Sequence, residues 1–179
     1  MTEPRTEARG AEQEGVTRNR STSPELIAQA PAEPKPGPEH KRLDAFVGKW
    51  NVEGKNKEGA PVAAGAKVTA VQTYEWMPGG FFLVHREFAR FGDVEHKTMT
   101  IIGYDPSSQT YPVHFFDNLG YYRVYQARVH DRTWTFTGKY ERATIVFGAD
   151  GNTFKSTWER SSDGSNWLPL CELKGTKAR

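Results

Sequence analysis

Residues 132–173 read RTWTFTGKYERATIVFGADGNTFKSTWERSSDGSNWLPLCEL, and the turns in this stretch set its strand register. Trp134, Phe136 and Gly138 alternate with Thr133, Thr135 and Thr137. Ala143, Ile145 and Phe147 alternate with Arg142, Thr144 and Val146, and Phe154, Ser156 and Trp158 alternate with Thr153, Lys155 and Thr157. Period-two alternation marks half-buried strands. Asp150-Gly151 is the residue pair favoured by a two-residue type I′ hairpin. Pairing across it sets Phe147 opposite Phe154, Ile145 opposite Ser156 and Ala143 opposite Trp158. Pairing back across residues 139–142 sets Gly138 opposite Ala143, Phe136 opposite Ile145 and Trp134 opposite Phe147. The apolar sets then share one face, which a one-residue slip would scramble. The stretch is therefore an antiparallel meander.

Working outward, similar segments fill the rest of the aromatic part of the chain. Strands are expected around Trp50 and Val52, then over Lys67–Trp76, 81–89, 94–104, 110–117 and 121–129. Turn signals separate them at Pro78-Gly79-Gly80, Asp105-Pro106-Ser107-Ser108, Asn118-Leu119-Gly120, Asp131 and Asp163-Gly164. Leu43, Phe46 and Val47 stand at helical spacing ahead of Gly48 and predict one short helical turn. No long amphipathic helix follows, so βαβ crossovers have no place. About ten strands joined by short hairpins predict an all-β, antiparallel up-and-down barrel, because closure removes both sheet edges.

Composition divides the 179 residues in two. All 22 aromatic residues lie from Phe46 onward, and six of the 11 prolines lie in residues 1–39. Such a segment has too little apolar surface to offset its ordering entropy. We read 1–39 as a disordered tail and 40–179 as one domain, a usual size for a single core. Proteolytic removal of the tail is expected to leave the domain's stability unchanged.

The net charge of +2 and the absence of a Lys/Arg cluster speak against a nucleic-acid partner. No apolar run approaches the roughly 20 residues of a membrane span. The N-terminus lacks a signal-peptide core. The expected location is the cytoplasm. A single cysteine, Cys171, excludes an intrachain disulfide and a cysteine-based zinc site.

Leu43-Asp44-Ala45-Phe46-Val47-Gly48-Lys49-Trp50 resembles the helix-turn-Gly-x-Trp opening of lipocalin-like and fatty-acid-binding barrels. Trp76…Gly79-Gly80-Phe81, Ile101-Ile102-Gly103-Tyr104-Asp105 and Ser162-Asp163-Gly164…Trp167 are similar to the bacterial family known as domain of unknown function 1579. The resemblance runs from about His40 to the C-terminus. It implies a lipocalin-like (calycin) barrel and no particular activity.

A barrel interior is either packed solid or holds a small ligand. Its inward polar residues are therefore the candidate site. Continuing the meander register places Arg160 on the face of Phe154, Ser156 and Trp158, opposite Trp167; the bland alternative sets its head group in water at the rim. Over residues 81–88 the more apolar set is Phe82, Val84 and Phe88, which carries Arg86 inward. Gln72 and Tyr74 share the apolar face of their strand. Arg123 follows if Asn118-Leu119-Gly120 is a three-residue loop. The candidate ligand-binding residues are thus Arg160, Arg86, Trp158, Trp167, Gln72, Tyr74, Arg123, Phe136 and Phe154. Inward arginines beside aromatic walls suit an anionic head group on an apolar body.

His85, Glu87 and His96 form a cluster with metal-ligand chemistry. The pairing that aligns Glu87 with His96 leaves all three outside, so no metal is expected. No cofactor is expected either: some related barrels bind haem through a late histidine, and none follows His130. No nucleophile elbow or phosphate loop occurs.

The expected function is binding of a small apolar or amphipathic molecule inside the barrel. A small lyase- or isomerase-like enzyme using the same cavity is one alternative, and a ligand-free interaction module is another. Leu168 and Leu170, expected on the outer wall, are a candidate homodimer contact; a bulge near Asn166 would instead turn the leucines into the core.

Overall fold

The structure is a computed structural model that describes residues 34–60 and 64–179. The disordered-tail expectation for residues 1–33 lies outside the described residues. Lys35–Arg179 is one compact unit. It starts earlier than the composition boundary: the Tyr111 hydroxyl donates to Glu39, at 3.0 Å to the carbonyl and 3.2 Å to the carboxylate. Pro38 opens the first helical turn, where a missing N–H costs nothing.

Helix α1 (Pro38–Lys41) runs into a 3₁₀ turn (Arg42–Ala45). Ten strands follow: β1 (Gly48–Asn56), β2 (Lys67–Trp76), β3 (Leu83–Phe91), β4 (Val94–Ile102), β5 (Tyr111–Asp117), β6 (Tyr122–His130), β7 (Thr133–Gly138), β8 (Glu141–Phe147), β9 (Thr153–Arg160) and β10 (Leu168–Lys177). Each pairs with its sequence neighbours, and β1 pairs with β10, so the sheet closes into a barrel. The expected all-β, up-and-down, ten-stranded barrel with one short helical turn is the observed fold.

The helical turn plugs one end. Leu43 and Phe46 point into the barrel and are almost fully buried. The Phe46 ring meets Tyr74, Trp134 and Phe147 at centroid distances of 5.4, 5.0 and 5.0 Å. Trp50 sits beneath this layer and donates from Nε1 to the Phe46 carbonyl at 2.6 Å. Aromatic edges and faces thus fill this end, and the remaining free interior lies towards the other.

The meander's faces are as the alternation requires, but its loops differ in length. Phe147↔Phe154, Ile145↔Ser156 and Ala143↔Trp158 pair as expected. The link between these strands is not a two-residue type I′ turn. Gly148 N–H bonds to the Thr153 carbonyl, and Gly151 N–H bonds back to Gly148, closing a four-residue loop. Gly151 has positive φ and Asp150 does not, whereas type I′ needs both. The longer loop keeps the same centre, so the register survives. Between β7 and β8 the loop is shorter than expected, and Phe136 pairs Ala143 while Trp134 pairs Ile145. That two-residue shift leaves every side chain on its face.

The last hairpin departs further. Arg160 pairs Leu168, Pro169 pairs Glu159, and then a bulge at Leu170 brings Cys171 opposite Trp158. A bulge adds one unpaired residue and bends the strand. The bulge carbonyl of Leu170 accepts the Lys57 N–H at 2.9 Å, so the irregularity is tied down. Leu168 therefore stays exposed while Leu170 turns to the interior. The two leucines do not form one outer stripe.

Strand β3 carries the largest correction. Its inward set is Leu83, His85, Glu87, Ala89 and Phe91, while Phe88 on the outer wall is 62% exposed. Apolar content picks the wrong face here because the barrel's polar residues lie inside.

Candidate functional site

The interior holds a cavity of about 220 Å³. That is below the roughly 300–1,000 Å³ of drug-sized sites, so its occupant is compact. Phe115, Phe136, Phe154, Trp158, Leu170 and Leu173 supply apolar wall. Gln72, His85, Glu87, His96, Arg123, Tyr125 and Glu141 supply the polar part.

Two polar groups can be separated. The first lies on β2, β3 and β4. The Gln72 amide donates to Glu87 at 2.5 Å, and the Tyr74 hydroxyl donates to the Gln72 oxygen at 3.4 Å. The His85 ring stacks on Tyr74 at 4.2 Å and 13°, and its Nδ1 stands 3.4 Å from the Thr100 hydroxyl. His85 Nε2 is buried with no partner among the described residues. Burial pushes the His85 imidazole down to about 3, so it is neutral at physiological pH. Burial also raises the Glu87 carboxyl, against the hydrogen bond from Gln72 and the attraction of His96, which lower it. The Tyr74 phenol is pushed up by burial and by the charge of Glu87.

The second group joins β4, β5, β6 and β8 near the end opposite the helical turn. Arg123 bridges Asp117 at 3.0 Å and Glu141 at 3.5 Å. Tyr125 donates to Glu141 at 2.5 Å, and His96 Nε2 lies 3.3 Å from Asp117. The Arg123 guanidinium also stands over the rings of Phe115 and Tyr121, at 5.3 and 4.7 Å. Burial raises the Tyr125 phenol, and the Glu141 charge raises it further.

Of the candidates read from sequence, Gln72, Tyr74, Arg123, Phe136, Phe154 and Trp158 line the cavity. The expected three-residue loop before Arg123 is present, with Asp117 N–H bonded to the Tyr121 carbonyl. Arg86 does not reach the interior. It points outward beside Glu75, 3.7 Å away, because β3 turns its other face inward. Arg160 is half-buried at the rim, with Nη1 3.4 Å from the Gly59 carbonyl. Trp167 lies under the Arg142 guanidinium, 4.4 Å from it, and is also outside the cavity. The longer last loop, which pairs Arg160 with Leu168, breaks the expected Arg160–Trp167 pairing.

His85, Glu87 and His96, expected outside, all line the cavity. Thr98 pairs with Glu87, and Ala89 with His96, so all three share the inner face. No group of three or more His, Cys, Asp or Glu among the described residues is placed to hold a metal ion. Tyr125 and Glu141 were missed, yet alternation marks them. Tyr125 shares parity with Arg123 on β6, and Glu141 shares parity with Ala143 on β8.

Cys171 also lines the cavity. Burial pushes its thiol up to about 12, with the charges of Glu87, Glu141 and Glu172 adding to the effect. The thiolate is the reactive species. Iodoacetamide at pH 8 is therefore expected to leave Cys171 unmodified in the folded protein and to alkylate it in denaturant. Mass spectrometry reads the difference.

The family profile for proteins of unknown function, DUF1579, matches residues 35–166. The chain belongs to this family. Among curated proteins none matches the sequence. The structure of Rv2717c from M. tuberculosis is similar, with a TM-score of 0.59 at 12% identity, covering 80% of this chain and 99% of that one. This DUF1579 barrel therefore shares a fold with Rv2717c. The S-type phycobiliprotein lyase CPES from Guillardia theta aligns with a TM-score of 0.44 at 9% identity, over 78% of this chain and 92% of that one. Among the described residues, no helix is long and apolar enough to cross a membrane.

Proposed function

We propose that this protein binds a compact, largely apolar molecule inside its barrel. The observation that carries this is the aromatic-walled cavity of about 220 Å³. An apolar cavity of roughly 150 Å³ is enough to hold benzene.

The test is to extract small molecules from natively purified protein and identify them by mass spectrometry. Ala89→Phe is the control. Ala89 is buried on the cavity wall, so a phenyl ring there occupies the free space. The expected result is a compound recovered from the native chain and lost from Ala89→Phe while the barrel stays folded. Equal recovery from both would remove the cavity from the function.

The Tyr125–Glu141–Arg123 set favours a second reading. A carboxylate held between a phenol and a guanidinium can shuttle a proton to a bound substrate. On this reading the extracted compound is converted on incubation with the protein, and Glu141→Gln stops the conversion without preventing binding.

A further inference from the structure

The charges facing the cavity are not balanced for an anion. Among the described residues Arg123 is the one Lys or Arg on its wall, and Asp117 and Glu141 already engage it. Arg86 and Arg160 lie outside. Glu87 has a different environment. Its hydrogen bond is to the neutral Gln72 amide, and among the described residues no lysine or arginine forms an ion pair with it. Burial favours the neutral acid there and His96 opposes it, so a bound cation would hold the carboxylate form.

Around Glu87 the cavity is lined by Phe115, Tyr125, Phe136, Phe154 and Trp158, and aromatic faces attract cations when water is excluded.

Resting on the reading of the interior as a binding cavity, we propose that its ligand is a compact cation. It is a protonated amine on a small aromatic or aliphatic body, with the ammonium at Glu87 and the body against the aromatic walls. The ligand supplies the cation that no lysine or arginine among the described residues of the cavity wall supplies to Glu87. This replaces the anionic head group expected from Arg160 and Arg86.

The test compares three probes of one shape on the full chain: benzylamine, toluene and benzoate. Calorimetry and tryptophan fluorescence measure their binding. The expected result is that benzylamine binds the wild-type protein at least about tenfold more tightly than the other two, the factor for one charge-assisted contact. Glu87→Gln removes that preference by weakening benzylamine more than toluene. Toluene or benzoate binding as tightly as benzylamine would overturn the cation reading while leaving the cavity reading intact. Failure of all three to bind would overturn both. The wild-type comparison needs no variant, so it decides the matter even where a substitution prevents folding.

Discussion

Replacing Trp50 by alanine is expected to destabilise the barrel by about 4 kcal/mol, in the range for buried Trp or Phe truncations. Trp50 has no exposed surface. Its ring meets Phe154 at 5.2 Å and Phe147 at 5.8 Å, so truncation opens a void against two other aromatics. The same change removes the indole N–H from the Phe46 carbonyl and leaves that buried oxygen without its donor. Lys177 Nζ also lies 5.2 Å from the ring centre, which ties the end of β10 to β1 across the barrel's closing seam. Trp50→Phe keeps most of the volume and loses the hydrogen bond, so its expected cost is about 1–2 kcal/mol. Chemical denaturation with matched m-values checks both figures. A loss below 1 kcal/mol for Trp50→Ala would mean that the plug does not hold the closed end together.

Asp117→Ala is expected to cost about 2–3 kcal/mol, because one carboxylate serves four donors. It accepts the N–H groups of Leu119 and Tyr121, both at 2.9 Å, and so shapes the β5–β6 loop. It also accepts from Arg123 and stands beside His96, and its side chain is 1% exposed. Burial alone would raise its pKa. The hydrogen bonds from Tyr121, Arg123, His96 and Leu119 outweigh burial and hold it below the usual carboxylate value. A depressed folded-state value means that the folded protein binds fewer protons than the unfolded chain. The stabilisation is therefore present above the ordinary aspartate value of 3.8 and is lost as the pH falls below it through the folded value. Stability of the wild type measured from pH 7 to pH 3 should fall more steeply than that of Asp117→Asn, which has no carboxylate to protonate.

The two polar groups of the cavity were unequally legible in the sequence. Gln72 and Tyr74 lie on a strand whose apolar face is unmistakable, and they follow Val68 and Ala70 inward by alternation alone. The inward face of Arg123 depends on the length of the Asn118–Gly120 loop, which the turn residues indicate. His85 and Glu87 were legible as a chemical cluster but not as an interior one. Their strand offers Val84 and Phe88 on the opposite face, with Phe82 just ahead of it, and hydrophobic contrast is the one sequence signal that assigns faces. Where a protein places polar side chains inside, that signal inverts, and functional sites are where such inversions are expected.

Parity along a strand is local, since backbone pleating puts side chains i and i+2 on one face in any context. This is why the alternation in residues 132–173 by itself determined the meander and the inward set of β7, β8 and β9. Errors of two residues in loop length did not disturb it. Register and absolute face depend instead on how many residues a loop spends and where a bulge adds one, and those are settled by packing between distant segments. The bulge at Leu170 is held by Lys57, far away in sequence, and it moves Leu170 into the cavity while Arg160 stays at the rim. The same closure brings β4, β6 and β8 around one space, so that Arg123, Tyr125, Glu141 and His96 meet, and no local pattern contains that meeting.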